Sequence, residues 1–113
     1  MLFAHGREQS TAWEIEVISR RGLLTVPVSD VADDPAAAAG RALAMLAACE
    51  RLVVHFDVDT IDFTDAPLSE NTGRNVGLTR HQAFSALAAL VCDARFSALT
   101  ITELNPDHGL DGG

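Results

Sequence analysis

Apolar positions fall into two spacings along the chain. Leu52-Val53-Val54-His55-Phe56 is a short apolar run with β-branched residues, and it reads as a buried strand. Residues 23–28 and 98–104 read the same way, with Pro27 marking an end or a position without a ladder bond. Residues 2–4 are a shorter piece that runs into His5-Gly6. Between these lie segments of helical spacing. Trp13, Val17 and Ile18 share one face of a helix over residues 12–20, which Ser10 or Thr11 caps and Gly22 stops. Asp34-Pro35 supplies an N-cap and a proline at the first helical position, and the Ala-rich run to Ala48 propagates the helix. Thr79-Arg80-His81-Gln82 has the form of a capping box, opening a helix through Phe84, Leu87 and Leu90 to Cys92 or Asp93.

The order is strand, helix, strand, helix, strand, helix, strand. Such alternation predicts an α/β fold, a parallel sheet with right-handed crossovers between helical layers. Residues 62–76 have no period and read as a long loop, a kind of segment that in compact domains usually carries function.

Size and charge narrow the functional classes. A chain of 113 residues holds one domain, and 48% apolar residues suit a globular one. The net charge of −8 argues against a nucleic-acid surface, which needs a basic stripe, and suits attraction of cations. No stretch is apolar enough to span a bilayer, and the N-terminus has no signal-peptide pattern. Cys49 and Cys92 have no zinc-type or C-x-x-C spacing, so the expectation is two buried free thiols in a reducing, cytoplasmic setting.

The sharpest chemistry lies at two strand tips. The central strand ends in Asp57, Asp59 and Asp62. On a continuing strand, Asp57 and Asp59 would face one side, where their mutual repulsion is relieved by a hard divalent cation. The plain alternative is a solvated acidic strand end. An EF-hand loop fails because Asp62 stands where glycine is required. A haloacid-dehalogenase-type phosphatase fails because Ile61-Asp62 breaks its pattern and no Lys follows. A glycosyltransferase Asp-x-Asp motif lacks the phosphate cradle it would need. At the last strand tip, Glu103 precedes Asn105-Pro106. A carboxylate there suits a guanidinium, although a surface Glu before a turn is the plain reading.

Taken in order, His55-Phe56-Asp57-Val58-Asp59-Thr60-Ile61-Asp62, Gly77-Leu78-Thr79 and Glu103-Leu104-Asn105-Pro106 resemble the motifs of the arginase–agmatinase family of ureohydrolases. The resemblance covers roughly residues 52–107. It implies an arginase-like three-layer α-β-α fold. It also implies two Mn²⁺ ions that activate a bridging hydroxide against a guanidino-type substrate. It places Asp57 as a bridging metal ligand, Asp59 as a ligand of one metal and Glu103 on the substrate. Asp62 takes a supporting role around them. Oligomers are common in the family.

The departures are specific. His55 stands where the family has Ser, and reads as a core or sheet histidine. Phe63 stands where the family has Pro, and the loop after it differs, which leaves the substrate unassigned. Arg74 is a candidate for a substrate carboxylate, with a solvated loop arginine as the default. The family's other ligands, a His and an Asp-x-His-x-Asp motif, have no counterpart. His5, His81 and His108 are isolated and read as solvated. The expectation is therefore a partial domain over residues 1–113, without its N-terminal ligand half and closing helix and inactive alone. A partner or a neighbouring copy could supply the missing half. The competing reading is a non-catalytic remnant of the same fold.

Overall fold

The computed structural model describes residues 1–73 and 75–108. Within them, strands and helices alternate: β1 Leu2–His5, α1 Ala12–Arg21, β2 Thr25–Pro27, α2 Val28–Asp33, α3 Pro35–Met45, β3 Leu52–Asp57, α4 Arg80–Val91 and β4 Phe96–Thr102. Short 3₁₀ turns follow β1, β3 and β4 at Arg7–Gln9, Val58–Thr60 and Pro106–His108. The role considered for Arg74 lies outside the described residues.

The helix boundaries follow local chemistry. Thr11 and Thr79 both close capping boxes, with Glu14 and Gln82 as the returning side chains. Gly22 ends α1 at φ 57°, a conformation that costs glycine little. Asp34 accepts from the Ala37 N–H at 2.9 Å and Pro35 begins α3. At the other end of α3, Arg95 donates to the carbonyls of Leu46 (2.7 Å) and Leu43 (3.2 Å), and the Leu46 carbonyl also accepts from the Cys49 N–H at 3.0 Å. Asp93 holds that guanidinium in place at 2.8 Å. α2 replaces the end of the expected strand over residues 23–28, because Pro27 has no N–H for a ladder and can precede a helix.

All strand pairing is parallel, as the alternation predicts. The expected continuous sheet is, however, divided: among the described residues β1 pairs only with β2, and β3 only with β4. Helices α2, α3 and α4 pack together, with α2 against β1 and β2 and α4 against β4. The alanine-rich sequence explains how closely: Ala38, Ala42, Ala83 and Ala86 are buried where α3 meets α4 and around Val31, Ile61 and Leu78. The β3–β4 pair is exposed on both faces: Val53, 68% exposed, shares a face with Ala98, and Ile101, 53% exposed, lies on the opposite face with Phe56. Three sequence expectations fail here. Trp13 is 70% exposed, so α1 does not bury the face assigned to it. Cys49 and Cys92 are both exposed. They lie past the last packed turns of α3 and α4, where an apolar neighbourhood in sequence does not translate into burial.

Candidate functional site

β3 carries Asp57 at its last position, and its register sets Asp57 opposite Thr102 of β4. Glu103 follows directly, so two of the predicted site residues sit at adjacent carboxyl ends of parallel strands, where α/β sheets bind ligands. Asp59 does not continue the strand. The chain tightens into the Val58–Thr60 turn, and the Asp59 N–H donates to Asp57 Oδ1 at 2.8 Å. The expectation that both carboxylates share one strand face is therefore replaced by a turn in which Asp57 caps the backbone of Asp59.

Asp59 Oδ1 is buried and has no hydrogen-bond partner among the described residues. A buried carboxylate oxygen without a donor carries a desolvation penalty of about 1–3 kcal/mol or more. The oxygen points to a missing positive or hydrogen-bonding group. Asp59 also lines a small cavity of about 50 Å³ with Ala4, Gly6, Gln9 and Gly77, so the tips of β1 and β3 meet there.

Asp62 faces the loop. Its Oδ1 accepts from the Thr64 hydroxyl (2.6 Å) and the Thr64 N–H (2.8 Å). These two bonds, the hydroxyl first, hold its carboxyl below the usual aspartate range. Its own N–H donates to the Leu78 carbonyl at 2.8 Å, tying the start of the long loop to the Gly77-Leu78-Thr79 segment at its end.

Glu103 is exposed and has φ 59°, in the left-handed region. Its carbonyl accepts from the Glu70 N–H at 2.8 Å, and the Asn105 N–H donates to the Leu68 carbonyl at 2.8 Å. Asn105 Nδ2 donates to Glu70 Oε2 at 2.7 Å. The loop after Asp62 is thus clasped to the tip of β4. Sequence reasoning missed this clasp, and nothing local announces an antiparallel bridge between Ser69 and Leu104. It also mistook His108, which is half-buried rather than solvated. His108 Nδ1 meets the Ser69 carbonyl at 2.8 Å, and its ring stands edge-on to Phe63 at 6.0 Å. His55 is a sheet histidine, as expected, but an exposed one, bracketed by Thr100 (2.8 Å) and Thr102 (3.2 Å) of β4. His5 pairs with Ser10 at 2.8 Å.

No protein-family model and no curated protein matches the sequence. Solved structures do. The chain superposes on arginase from Bacillus subtilis with a TM-score of 0.82 at 17% identity, covering 97% of this chain and 38% of that one. For Helicobacter pylori arginase the TM-score is 0.80 at 19% identity, covering 96% and 36%. For Bacillus caldovelox arginase it is 0.77 at 19%, covering 90% and 34%. The fold is arginase-like. It is also partial, since the chain spans little more than a third of each arginase.

By donor type carboxylate oxygens suit a hard divalent cation such as Mn²⁺, and Asp59 Oδ1 is one such oxygen without a partner among the described residues. The set is nevertheless short. Among the described residues no group of three or more His, Cys, Asp or Glu is placed to hold a metal ion. A two-metal centre does not fit these residues alone.

Proposed function

We propose that this chain forms one side of a manganese-dependent amidinohydrolase site, completed by residues from outside it. Asp57 and Asp59 supply carboxylate ligands, Glu103 faces the guanidino group of the substrate, and Asp62 braces the loop between them. The observation that carries the reading is the buried Asp59 Oδ1 without a partner, one turn past a strand tip that neighbours Glu103. The arginase-like fold supports it, as does the order of the three motifs. The chemistry that Mn²⁺ would bring to such a site is a water of lowered pKa and clamping of developing charge. The competing reading is a non-catalytic remnant of the fold, favoured by the short donor set.

Metal analysis after Mn²⁺ loading and desalting separates the two. Weak retention of manganese, fewer than two ions per chain and abolished by Asp59→Asn, is the expected result. Two tightly held ions would overturn the claim that the site is incomplete. Equal retention by the chain and by Asp59→Asn would favour the remnant.

A further inference from the structure

Side chains close the clasp between the long loop and the tip of β4, and one of them, His108, can change its charge. His108 Nδ1 lies 2.8 Å from the Ser69 carbonyl oxygen. A carbonyl only accepts, so Nδ1 carries the hydrogen. His108 Nε2 lies 3.4 Å from Asn105 Nδ2. An amide nitrogen only donates, so Nε2 meets it with a lone pair. The orientation of the Asn105 amide is fixed by its other partners. The Asp107 N–H donates to its Oδ1 at 2.9 Å, and its Nδ2 donates to Glu70 Oε2 at 2.7 Å. All of these partners are matched by neutral His108 in its Nδ1–H form. Ser69 is buried, which shelters its carbonyl from competing water.

A second proton on His108 turns Nε2 into a donor that faces a donor. Two responses relieve the conflict. The Asn105 amide can turn over, which sets its NH2 against the Asp107 N–H and takes the donor away from Glu70. Alternatively the Glu70 carboxylate leaves Asn105 for His108, forming an ion pair. Both responses break the bond between Asn105 and Glu70. The charged side chains on the segments around His108 favour the second proton. Among the described residues they are Asp62, Asp65 and Glu70 in the loop and Glu103 and Asp107 beside Asn105, all acidic.

We propose that His108 is a proton-operated switch in this clasp: neutral, it holds Asn105 on Glu70; protonated, it breaks that tie. The bond to Ser69 survives protonation, because Nδ1 keeps its hydrogen, so the loop stays hinged there. Glu70 then depends on its N–H bond to the Glu103 carbonyl, 2.8 Å long and no longer backed by the side chain. Acid would thus loosen the loop at the point where it fixes the backbone of Glu103. Any consequence for substrate rests on the amidinohydrolase reading; the switch itself does not.

The test is NMR on the whole chain in metal-free buffer with chelator, the charge of His108 being read from its own ring signals as pH falls. At the high-pH end the ring nitrogens should report the Nδ1–H form. As His108 charges, the side-chain NH2 signals of Asn105 should shift. Exchange of the Glu70 amide, corrected for the intrinsic effect of pH, should speed up by about threefold or more, the scale of one lost hydrogen bond. The Val54 amide, in the β3–β4 ladder, should keep its protection over the same range. His108→Gln can still donate to the Ser69 carbonyl but takes no second proton, so in it the step at Glu70 should disappear. An Nε2–H ring at high pH would overturn the proposal. So would Asn105 and Glu70 signals that ignore the charging of His108, or the same step in His108→Gln. Loss of Val54 protection alongside Glu70 would overturn it too, because the response would then belong to the whole fold. None of these readouts involves metal or substrate, so the switch and the amidinohydrolase reading fail separately.

Discussion

Glu103 holds a backbone conformation that L-residues adopt at a cost of about 1–2 kcal/mol. Strain of that kind persists where surrounding structure over-determines it, and here the clasp through Glu70 and Leu68 fixes the residue from both sides. Among the described residues its exposed side chain makes no hydrogen bond or ion pair that offsets the cost. Glu103→Gly is therefore expected to raise stability by about 1 kcal/mol in denaturant unfolding while removing the carboxylate assigned to the substrate. A loss of stability would show that the side chain is anchored after all. Asp62 sits in the opposite situation, since its carboxylate is favoured by two bonds from Thr64. Because the folded pKa is depressed, the stabilisation is present above the unfolded value and is lost as pH falls through the folded one. Thr64→Val removes the larger contribution, so the Asp62 carboxyl should titrate closer to the ordinary aspartate range by NMR. An unchanged titration would mean that the backbone N–H alone sets it.

Among the elements, the motifs with local chemistry were legible and the pairings were not. Capping boxes, an Asp-Pro start and a glycine stop report on the residues next to them, and α1, α3 and α4 begin where those signals lie. β3 was legible as an apolar run, and its acids were found at its tip. The division of the sheet, the clasp of the loop on β4 and the turn that carries Asp59 depend on contacts between distant residues. The exposure of Trp13 and of both cysteines has the same origin: apolar spacing states which face could be buried, and tertiary structure decides whether anything covers it. Gly77-Leu78-Thr79 shows both levels at once. Leu78 bridges Ile61 and is buried, and Thr79 caps α4. A Cβ on Gly77 would stand 2.7 Å from the Thr60 carbonyl oxygen and 3.0 Å from the Asp62 nitrogen, both backbone atoms that cannot swing aside. Gly77→Ala should therefore cost about 1–3 kcal/mol, and it should loosen the turn that positions Asp59. Thermal unfolding reads the first effect and exchange of the Asp59 amide the second. A neutral substitution would mean that the loop gives way without strain.

At the scale of the molecule, part of the strand surface is apolar and exposed. Val53 is 68% exposed on the face it shares with Ala98 and His55, while Leu99 and Ile101, 38% and 53% exposed, lie together on the opposite face beside Val54 and Phe56. Leu99 and Ile101 are two apart on β4, so they form a connected patch rather than isolated exposures, and connected patches promote association. Net charge of −8 opposes that association at low salt, and screening weakens the opposition as ionic strength rises. The isolated chain should therefore self-associate more at high salt than at low salt. Ile101→Thr keeps a β-branched residue suited to the strand and removes the more exposed part of the patch. It should lower self-association in sedimentation velocity at high salt and change thermal stability by less than about 0.5 kcal/mol, as surface substitutions usually do. A loss of about 1 kcal/mol or more, the scale of burying a methyl-bearing side chain, would show that the patch is covered in solution, by another copy or by chain from elsewhere. In that case the Leu99–Ile101 patch belongs to an interface.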